Sequence, residues 1–392
     1  PTSPRFDRLA ETGVVFERAI ATAPWSLPSH ASMLTGRYNY ELRTDFLRPL
    51  DDTYPTLAET LAGLGYVTIA SLGNDFFGPA PYGLDRGFAR YRVHPLTLGQ
   101  VLRSSWLTGT LVPLVRSWLG NHQRLGRKRA SAVNREILGW IDAARDRPFF
   151  AFVNYFDAHD PYLPPPPYDR RFIDPPYRYW LKSASEEYAE GELDELVAAY
   201  DNGIAYVDSQ LGALVDALAD RNALDRTLLI VTSDHGEAFL EHGEGAHGTS
   251  LHSEQLRVPL LLRFPGRVPA GVRVDLPVSI RDIPATVMAL LGADERPRRF
   301  PGKPLSRFWN PSGRPRPEEE AVLAELRRDR SVVQGFWHYI RSADGSEELY
   351  DLSRDPFERV DLADTEGGRA EVERMRRVLE RLLAAGAADR AG

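Results

Sequence analysis

Two short, almost wholly apolar runs constrain the fold of this chain more than any other feature of its sequence. They are Pro148–Tyr155 and Thr227–Thr232. Runs of this length and composition are typical of strands that are buried in a sheet. Capped helices and β-branched segments alternate around them, as in the helix signal Pro55–Leu64 that leads into the strand signal Tyr66–Ser71. The alternation predicts an α/β fold in which helices cover a mostly parallel sheet.

The hydrophobic pattern of the C-terminal part of the sequence differs from that of the rest. The longest predicted helix, Glu192–Ala219, still carries one apolar stripe at spacings of three and four residues. From about Pro317 onward, short strand signals alternate with turns. The strands predicted there are Ala321–Leu326, Ser331–Arg341 and Glu347–Leu352, and a helix is predicted at Gly368–Ala384. We therefore expect an α/β domain over residues 1–316 and a small antiparallel-sheet-plus-helix subdomain over residues 317–392.

Composition excludes several classes of function. A net charge of −7 over 392 residues gives no reason to expect a nucleic-acid partner. The chain has no cysteine, which excludes disulfides, thiolate metal sites and a cysteine nucleophile. Its longest apolar candidate, Trp106–Val115, is far shorter than the roughly 20 residues of a membrane span, so we expect no integral membrane segment in this chain.

The stretch Ala23–Arg37 has the start and stop signals of a short helix. Ser26 is expected as a hydroxyl N-cap, Pro28 lies in the first turn and Gly36 follows the last turn. The N–H groups and the positive dipole end of such a helix attract anions. A hydroxyl held there is placed to attack a phosphate or sulfate ester. The plainer interpretation is that Ser26 only caps the helix.

Asp234 and His235 directly follow the second apolar run. Open α/β sheets bind ligands at the carboxyl ends of their strands. A carboxylate and an imidazole at this edge can share one cation: carboxylate oxygens suit Ca²⁺, Mg²⁺ or Mn²⁺, and imidazole also suits Zn²⁺. Two ligands do not complete a site. The alternative is a charged loop whose histidines are hydrogen-bonded.

His159 follows the first apolar run, and Pro161 and Tyr162 come directly behind it. A histidine at this edge can donate a proton to a leaving alkoxide or bind an ester oxygen. The alternative is a structural histidine bonded to backbone carbonyls.

Taken together, these segments resemble the sulfatase family of the alkaline-phosphatase-like superfamily. The family signature is Cys or Ser, any residue, Pro, Ser, Arg, followed by Thr-Gly-Arg or Thr-Gly-Lys. It stands here as Ser26–His30 and Thr35–Arg37. The family's His-any-Pro-Tyr element matches His159–Tyr162, its Asp-His-Gly element matches Asp234–Gly236, and its Arg-Val-Pro-Leu segment matches Arg257–Leu260.

The resemblance implies a mixed sheet sandwiched by helices, with a small antiparallel C-terminal subdomain. It also implies a metal-dependent hydrolase of sulfate esters whose nucleophile stands at Ser26. The catalytic residues it implies are Ser26, His30, Arg37 and His159. The metal ligands it implies are Asp234, His235 and Ser26, with Ca²⁺ as the first choice and Mn²⁺, Mg²⁺ or Zn²⁺ as alternatives.

The sequence departs from the family pattern at several positions. His30 replaces the arginine that belongs to the sequence recognised when sulfatases convert Cys or Ser into formylglycine. An unmodified Ser26 suits phosphoryl transfer, which leaves a phosphodiester or phosphonate monoester hydrolase as an alternative. Asn74 lies about where the family has a lysine, and His247 lies near the place of a second one, so both are candidates for substrate binding. A catalytically silent binding protein with the sulfatase fold is the third hypothesis.

The family's opening strand ends in paired aspartates that complete the metal site, and that segment would precede Pro1. We therefore expect residues 1–392 alone to bind metal poorly and to be inactive. As substrate, the resemblance implies a small-molecule or glycan ester of sulfate or phosphate. It also implies a periplasmic or extracellular location.

Overall fold

The structure is a computed structural model that describes residues 1–93, 127–144, 147–174, 191–293, 299–310 and 315–391. The helices, in chain order, are α1 Pro4–Ala10, α2 Ser26–Thr35, α3 Asn39–Leu42, α4 Leu57–Gly63, α5 Ala130–Ala144, α6 Glu192–Asp220, α7 Ser253–Leu256, α8 Ile283–Leu291 and α9 Glu366–Ala391. The strands are β1 Val14–Ile20, β2 Val67–Leu72, β3 Arg90–Arg92, β4 Phe149–Asn154, β5 Leu229–Thr232, β6 Ala238–Phe239, β7 Gly245–Ala246, β8 Arg257–Arg263, β9 Val272–Val274, β10 Val278–Ser279, β11 Ala321–Leu326, β12 Asp329–Gln334, β13 Trp337–Arg341 and β14 Glu347–Asp351.

The chain divides into two compact units. The first consists of Pro1–Arg8, Ala58–Pro81 and Asp85–Leu224. The second consists of Leu9–Leu57, Tyr82–Leu84 and Asp225–Gly392. The division at residue 317 that the sequence suggested stays a prediction.

The first unit is built on a three-stranded parallel sheet. Its strand order is β3-β2-β4, and Val67 pairs with Phe149 in the register of β2 and β4. Helices α5 and α6 cover this sheet with apolar side chains that repeat along one face of each helix. The buried side chains of this layer are Ile69, Val133, Ile137, Ile141, Leu214, Leu218 and Ala223. This helix-on-sheet layer is the arrangement that the alternating pattern predicted.

The start of α1 shows a contact that the local sequence did not predict. The carboxylate of Asp208 on α6 accepts hydrogen bonds from the backbone N–H of Arg5, at 2.9 Å, and of Phe6, at 2.8 Å. A helix leaves its first N–H groups without intrahelical partners, so a carboxylate there is stabilising. The cap of α1 is therefore a tertiary contact.

The second unit contains a mixed sheet of five strands. Its main path is β10-β1-β8-β5, and β9 pairs with β1. Strand β1 runs parallel to β9 and β10 and antiparallel to β8, and β5 runs antiparallel to β8. The mixed sheet with helices confirms the predicted fold class. The sheet also fixes the position of the polar residues that follow β5.

The C-terminal sheet of this unit is an antiparallel meander with the order β11-β12-β13-β14. The single strand predicted over Ser331–Arg341 is wrong, because the chain turns at Gly335, whose φ is +58°, and forms β12 and β13. A glycine adopts that conformation without the steric penalty of a side chain. Helix α9 packs on the meander through buried residues that include Met375 and Leu379, against Tyr339 and Leu349.

Among the described residues, no helix is both long enough and apolar enough to cross a membrane.

Candidate active site

Ser26 is the first residue of α2, and its hydroxyl does not cap the helix. The N-cap position belongs to Trp25, which has extended backbone angles and makes no side-chain capping bond. The prediction of Ser26 as the capping hydroxyl is therefore wrong. The C-terminal end of α2 lies where the sequence predicted it. Gly36 has φ +69°, and its N–H donates to the carbonyl of Ser32 at 2.8 Å. The Ser26 hydroxyl thus lies buried beside the helix N-terminus and is available to other groups.

His235 contacts that hydroxyl. The Oγ of Ser26 lies 3.2 Å from Nε2 of His235. The other ring nitrogen, Nδ1, lies 2.8 Å from the carbonyl of Gly236, and a carbonyl only accepts, so Nδ1 carries the proton. Burial lowers the pKa of His235, which favours the neutral ring. Nε2 therefore presents a lone pair to the Ser26 hydroxyl, whose single proton serves either this nitrogen or the Asp234 carboxylate.

Asp234 lies between two imidazoles. Its Oδ2 is 3.4 Å from Nε2 of His235 and 3.4 Å from Nδ1 of His30. Burial by itself would raise the pKa of Asp234, but the polar groups around the carboxylate outweigh burial and hold that pKa well below the usual value. The carboxylate is therefore ionised. The Ser29 hydroxyl donates to the Asp234 backbone carbonyl at 2.5 Å, which links α2 to the end of β5.

His30 lies one turn after Ser26 on α2. Its Nδ1 is 2.7 Å from the Ser26 carbonyl, so this nitrogen also carries a proton. The ring is buried at the position where the family signature has arginine. We refer to Ser26, His30, Asp234 and His235 as the serine cluster. The structure brings these four predicted site residues together.

His247 lies directly beside the serine cluster. Its ring stacks on that of His235, with the centroids 4.2 Å apart, and its Nδ1 lies 2.8 Å from Oε1 of Glu237. Trp25 lies 5.2 Å from the His247 ring and stacks on Phe46 at 3.5 Å. His247, Trp25 and Phe46 thus form an aromatic wall beside the serine cluster, and His247 is one of the predicted substrate-binding residues. Sequence reasoning did not single out Trp25 or Phe46, because no local pattern distinguishes them from other buried aromatics.

A glycine makes this wall possible. Gly248 has φ +75°, and a Cβ on it would lie 2.5 Å from Cε3 of Trp25. No L side chain fits at that distance, so glycine is required for the close approach of the loop to the indole.

Arg37 is placed away from the serine cluster, beyond the opposite end of α2. Its guanidinium donates to Glu41 at 3.2 Å and lies 3.8 Å over the ring of Tyr54. Arg37 and Glu41 are buried, and both contacts belong to the packing of the second unit. The catalytic role expected for Arg37 stays a prediction.

The remaining two predicted site residues belong to the first unit. Nδ1 of His159 lies 2.9 Å from the carbonyl of Asp160, and Arg127 donates to backbone carbonyls of the same turn, including that of His159 at 2.7 Å. Oδ1 of Asn74 accepts from the backbone N–H groups of Phe76 and Phe77, each at 3.0 Å. His159 thus sits in a backbone-braced turn, and Asn74 acts as a turn cap. Their catalytic and substrate-binding roles stay predictions.

The donor set at Ser26 fits a divalent cation. Oδ2 of Asp234 and Nε2 of His235 both present lone pairs, and they lie 3.4 Å apart with no proton assigned between them. Two acceptors in that position repel each other unless a positive charge lies beside both. A carboxylate, an imidazole and a hydroxyl form a partial ligand set of the kind that divalent cations take.

Comparison with known proteins gives consistent findings. A family profile described as Sulfatase matches residues 1–293. The uncharacterized sulfatase YidJ of Escherichia coli K12 is 27% identical over 404 residues, which cover 91% of this chain and 77% of that protein.

Solved structures share the fold. The phosphonate monoester hydrolase SpPMH from Silicibacter pomeroyi superposes with a TM-score of 0.78 at 20% identity, covering 98% of this chain and 90% of that chain. The structure of BT4656 in complex with its substrate D-glucosamine-2-N,6-O-disulfate superposes with a TM-score of 0.72 at 17% identity, covering 99% and 93%.

Proposed function

The chain belongs to the sulfatase family, and from that premise we propose that the full-length protein hydrolyses sulfate esters with Ser26 at the nucleophile's position. One observation carries the proposal: the Ser26 hydroxyl lies 3.2 Å from the unprotonated nitrogen of His235, at the N-terminus of a ten-residue helix. The serine cluster thus places a hydroxyl beside a ring lone pair, at a helix end that attracts anions.

In the proposed reaction, Oγ of Ser26 attacks the ester sulfur and its hydroxyl proton passes to solvent water, because Nε2 of His235 is needed as a cation ligand. The S–O bond to the leaving alcohol breaks, and the leaving alkoxide takes a proton from solvent water. Water then attacks the sulfated serine, releases sulfate and restores the hydroxyl. The backbone N–H groups of the first turn of α2 attract the negative group throughout.

Asp234, His235 and Ser26 would hold a divalent cation, with Ca²⁺ as the first choice and Mn²⁺, Mg²⁺ or Zn²⁺ as alternatives. A bound divalent cation supplies positive charge that offsets the charge on the transferring group. The part of Asp234 is to stay ionised, which its lowered pKa supports. The part of His30 is to fix the carbonyl of Ser26, and so the start of α2.

The second candidate is a phosphodiester or phosphonate monoester hydrolase with an unmodified Ser26. The observation that favours it is the replacement of the signature arginine, which belongs to the sequence recognised for formylglycine formation, by an imidazole. His30 stands where the signature has arginine, and His247 stands beside His235 near the place of a family lysine. An unmodified serine hydroxyl suits phosphoryl transfer. The fold shared with SpPMH is compatible with this candidate.

The experiment compares substrates that share one leaving group. The native full-length protein, supplied with Ca²⁺ or Mn²⁺, is assayed on 4-nitrophenyl sulfate, 4-nitrophenyl phenylphosphonate and bis(4-nitrophenyl) phosphate. Sulfate as the preferred substrate, by kcat/KM, supports the proposal. Preference for the phosphonate or the phosphodiester overturns it in favour of the second candidate. Binding of all three esters without turnover identifies a silent binding protein.

Intact-mass analysis of the same protein tests the chemical form of the nucleophile. An unchanged serine at position 26 is what the attack described above requires. A mass lower by two hydrogens identifies formylglycine, whose hydrate then replaces the serine hydroxyl as the attacking group. Ser26→Ala is the inactive reference, and Ser29→Ala is the matched control. Ser29 lies on the same helix and bonds the Asp234 carbonyl, so its hydroxyl is structural in this scheme.

A further inference from the structure

A second group of metal-ligating side chains lies in the second unit, outside the serine cluster. The rings of His242 and His252 stack with their centroids 3.8 Å apart and an interplanar angle of 6°. Glu254 lies beside them, and one ligand atom from each of the three side chains lies within 4.8 Å of the other two. Within the part of the chain that the structure describes, no other three His, Asp or Glu side chains form such a group. We call these residues the histidine–glutamate trio.

Both histidines of the trio are oriented by acceptors at Nε2. Nε2 of His242 lies 2.8 Å from the backbone carbonyl of Glu358. Nε2 of His252 lies 3.1 Å from Oε2 of Glu348 and 3.4 Å from the hydroxyl of Tyr350. Metal-ligating histidines characteristically donate the far N–H to a carbonyl or a carboxylate, which fixes the tautomer and aims the other nitrogen. The trio has this outer support for both of its rings.

The inward nitrogens are less well satisfied. Nδ1 of His242 lies 2.9 Å from Oε1 of Glu254. Nδ1 of His252 is buried and has no hydrogen-bond partner. The side chains of His242, His252 and Glu254 are only 16%, 12% and 13% exposed. A buried polar nitrogen without a partner is costly, and here it stands beside a second imidazole and a carboxylate.

A proton can satisfy only one of the two inward nitrogens, Nδ1 of His242 or Nδ1 of His252. His242 faces an acceptor at each ring nitrogen, so protons can satisfy its own hydrogen bonds. They still leave Nδ1 of His252 without a partner. A divalent cation between the three side chains would use both inward nitrogens and the carboxylate at once.

We propose that His242, His252 and Glu254 form a second divalent-cation site, distinct from the one proposed at Ser26, with two imidazoles and one carboxylate as ligands. This donor set suits Zn²⁺ and its neighbours Ni²⁺ and Cu²⁺ better than Ca²⁺ or Mg²⁺, which prefer oxygen ligands throughout. The lone pairs of parallel rings do not converge on one point, so the two rings tilt apart when the ion binds.

The role of this site is structural. Its outer acceptors come from β14 and from the segment at Glu358, whereas its ligands come from the segment that follows β5 and from α7 and its N-cap. The ion therefore joins the loop that carries His242 to α7, and the hydrogen bond of His252 to Glu348 connects α7 to the C-terminal sheet. The site does not depend on the reaction proposed at Ser26.

Zn²⁺ titrated into the metal-free protein tests the site by calorimetry. Asp234→Asn is the background variant, because it weakens the other proposed site. We expect this variant to bind one equivalent of Zn²⁺ and to melt at a higher temperature with Zn²⁺ than without it. In that background, His252→Phe keeps a stacked ring but removes the ligand nitrogen, and Glu254→Gln keeps the shape but removes the charge. Each is expected to weaken Zn²⁺ binding at least tenfold.

Glu244→Gln is the matched control. It changes a carboxylate at an exposed position of the loop that carries His242 and leaves the trio and its outer acceptors intact, so Zn²⁺ binding should remain. Nitrogen hyperfine splitting from two imidazoles in the Cu²⁺ spectrum of the Asp234→Asn protein gives an independent signature. The proposal is overturned if Asp234→Asn binds no Zn²⁺, or if His252→Phe and Glu254→Gln bind it as tightly as their background. Should His252→Phe fail to fold, Glu254→Gln decides, and neither outcome depends on ester hydrolysis.

Discussion

The serine cluster and the histidine–glutamate trio are made of similar residues, yet the structure equips them for different chemistry. Both combine imidazoles with a carboxylate in the second unit. In the serine cluster, His235 donates its Nδ1 proton to the neighbouring Gly236 carbonyl, which leaves Nε2 for the Ser26 hydroxyl. In the trio, the Nε2 atoms are held by Glu358 and Glu348. In each histidine, the hydrogen-bond partner of one ring nitrogen thus decides whether the other nitrogen presents a lone pair to a hydroxyl or to a cation.

The backbone around the two groups differs as well. The serine cluster lies at the start of α2, a helix of 10 residues whose dipole attracts anions. The trio lies around α7, a helix of only 4 residues, and is tied to the C-terminal sheet by hydrogen bonds. The first arrangement favours an anionic ester next to a hydroxyl. The second favours a cation that links two parts of the unit.

Ser26→Ala should separate the two groups most sharply. Loss of the hydroxyl is expected to lower kcat/KM for the preferred ester by a factor of about 10⁴ or more, because nothing else in the serine cluster supplies the nucleophile. Zn²⁺ affinity at the trio and the melting temperature should hardly change. Steady-state assays and calorimetry on the same preparation measure both. Full activity in Ser26→Ala would show that the Ser26 hydroxyl is not the nucleophile and that the serine cluster does not differ from the trio in this way.

Glu358→Gln should show that the surroundings of the trio serve stability. Although burial raises the pKa of Glu358, His338 and Ser253 hold it down, from the ordinary value of 4.5 to about 2. A group with a depressed folded pKa contributes stability above its unfolded pKa and loses it as the pH falls through the folded one. The wild-type protein should therefore lose on the order of 3 kcal/mol of unfolding free energy between about pH 4.5 and pH 2 from this group.

Denaturant unfolding at a series of pH values measures the slope of the unfolding free energy against pH. Glu358→Gln should be less stable than the wild type at neutral pH, and its stability should fall less on acidification. Glu373→Gln, at an exposed position of α9, is the control and should leave the slope unchanged. Equal slopes in all three proteins would show that Glu358 does not contribute in this way.

Gly236→Ala should affect both groups together. A Cβ on Gly236 would lie 2.1 Å from the backbone carbonyl oxygen of Glu254, so α7 must move away from the end of β5. We expect a loss of about 1–3 kcal/mol of stability, with lower activity and weaker Zn²⁺ binding. Gly63→Ala is the matched control, since its Cβ would have no atom within 4 Å. If only one of the two groups responds, they are less closely linked than the geometry indicates.

Glu237→Gln should give the smallest effect, confined to the serine cluster. The Glu237 carboxylate fixes His247 through a bond of 2.8 Å, and the amide keeps the shape but not the charge. We expect kcat/KM to fall about tenfold, as for other supporting residues of a site. Zn²⁺ binding at the trio should stay the same. Glu244→Gln, at an exposed position of the same loop, should match the wild type in both measurements.

Much of the fold followed from local patterns. The apolar runs became β4 and β5, the long stripe became α6, and Gly36 ends α2 as its position in the sequence indicated. These features depend on residues close together in the chain, so periodicity and capping rules identify them. The same rules failed at Ser331–Arg341, where the apolar alternation continues through a turn at Gly335 and hides it.

The sequence by itself determined which residue types follow each strand, and with them the candidates Ser26, Asp234 and His235. Only the tertiary structure decided how their atoms pair. It leaves the Ser26 hydroxyl free of capping and directs it to a histidine more than 200 residues away. It also stacks His242 on His252 under acceptors from a distant sheet. Hydrogen-bond direction depends on positions in space rather than on distance along the chain, and no local pattern encodes that.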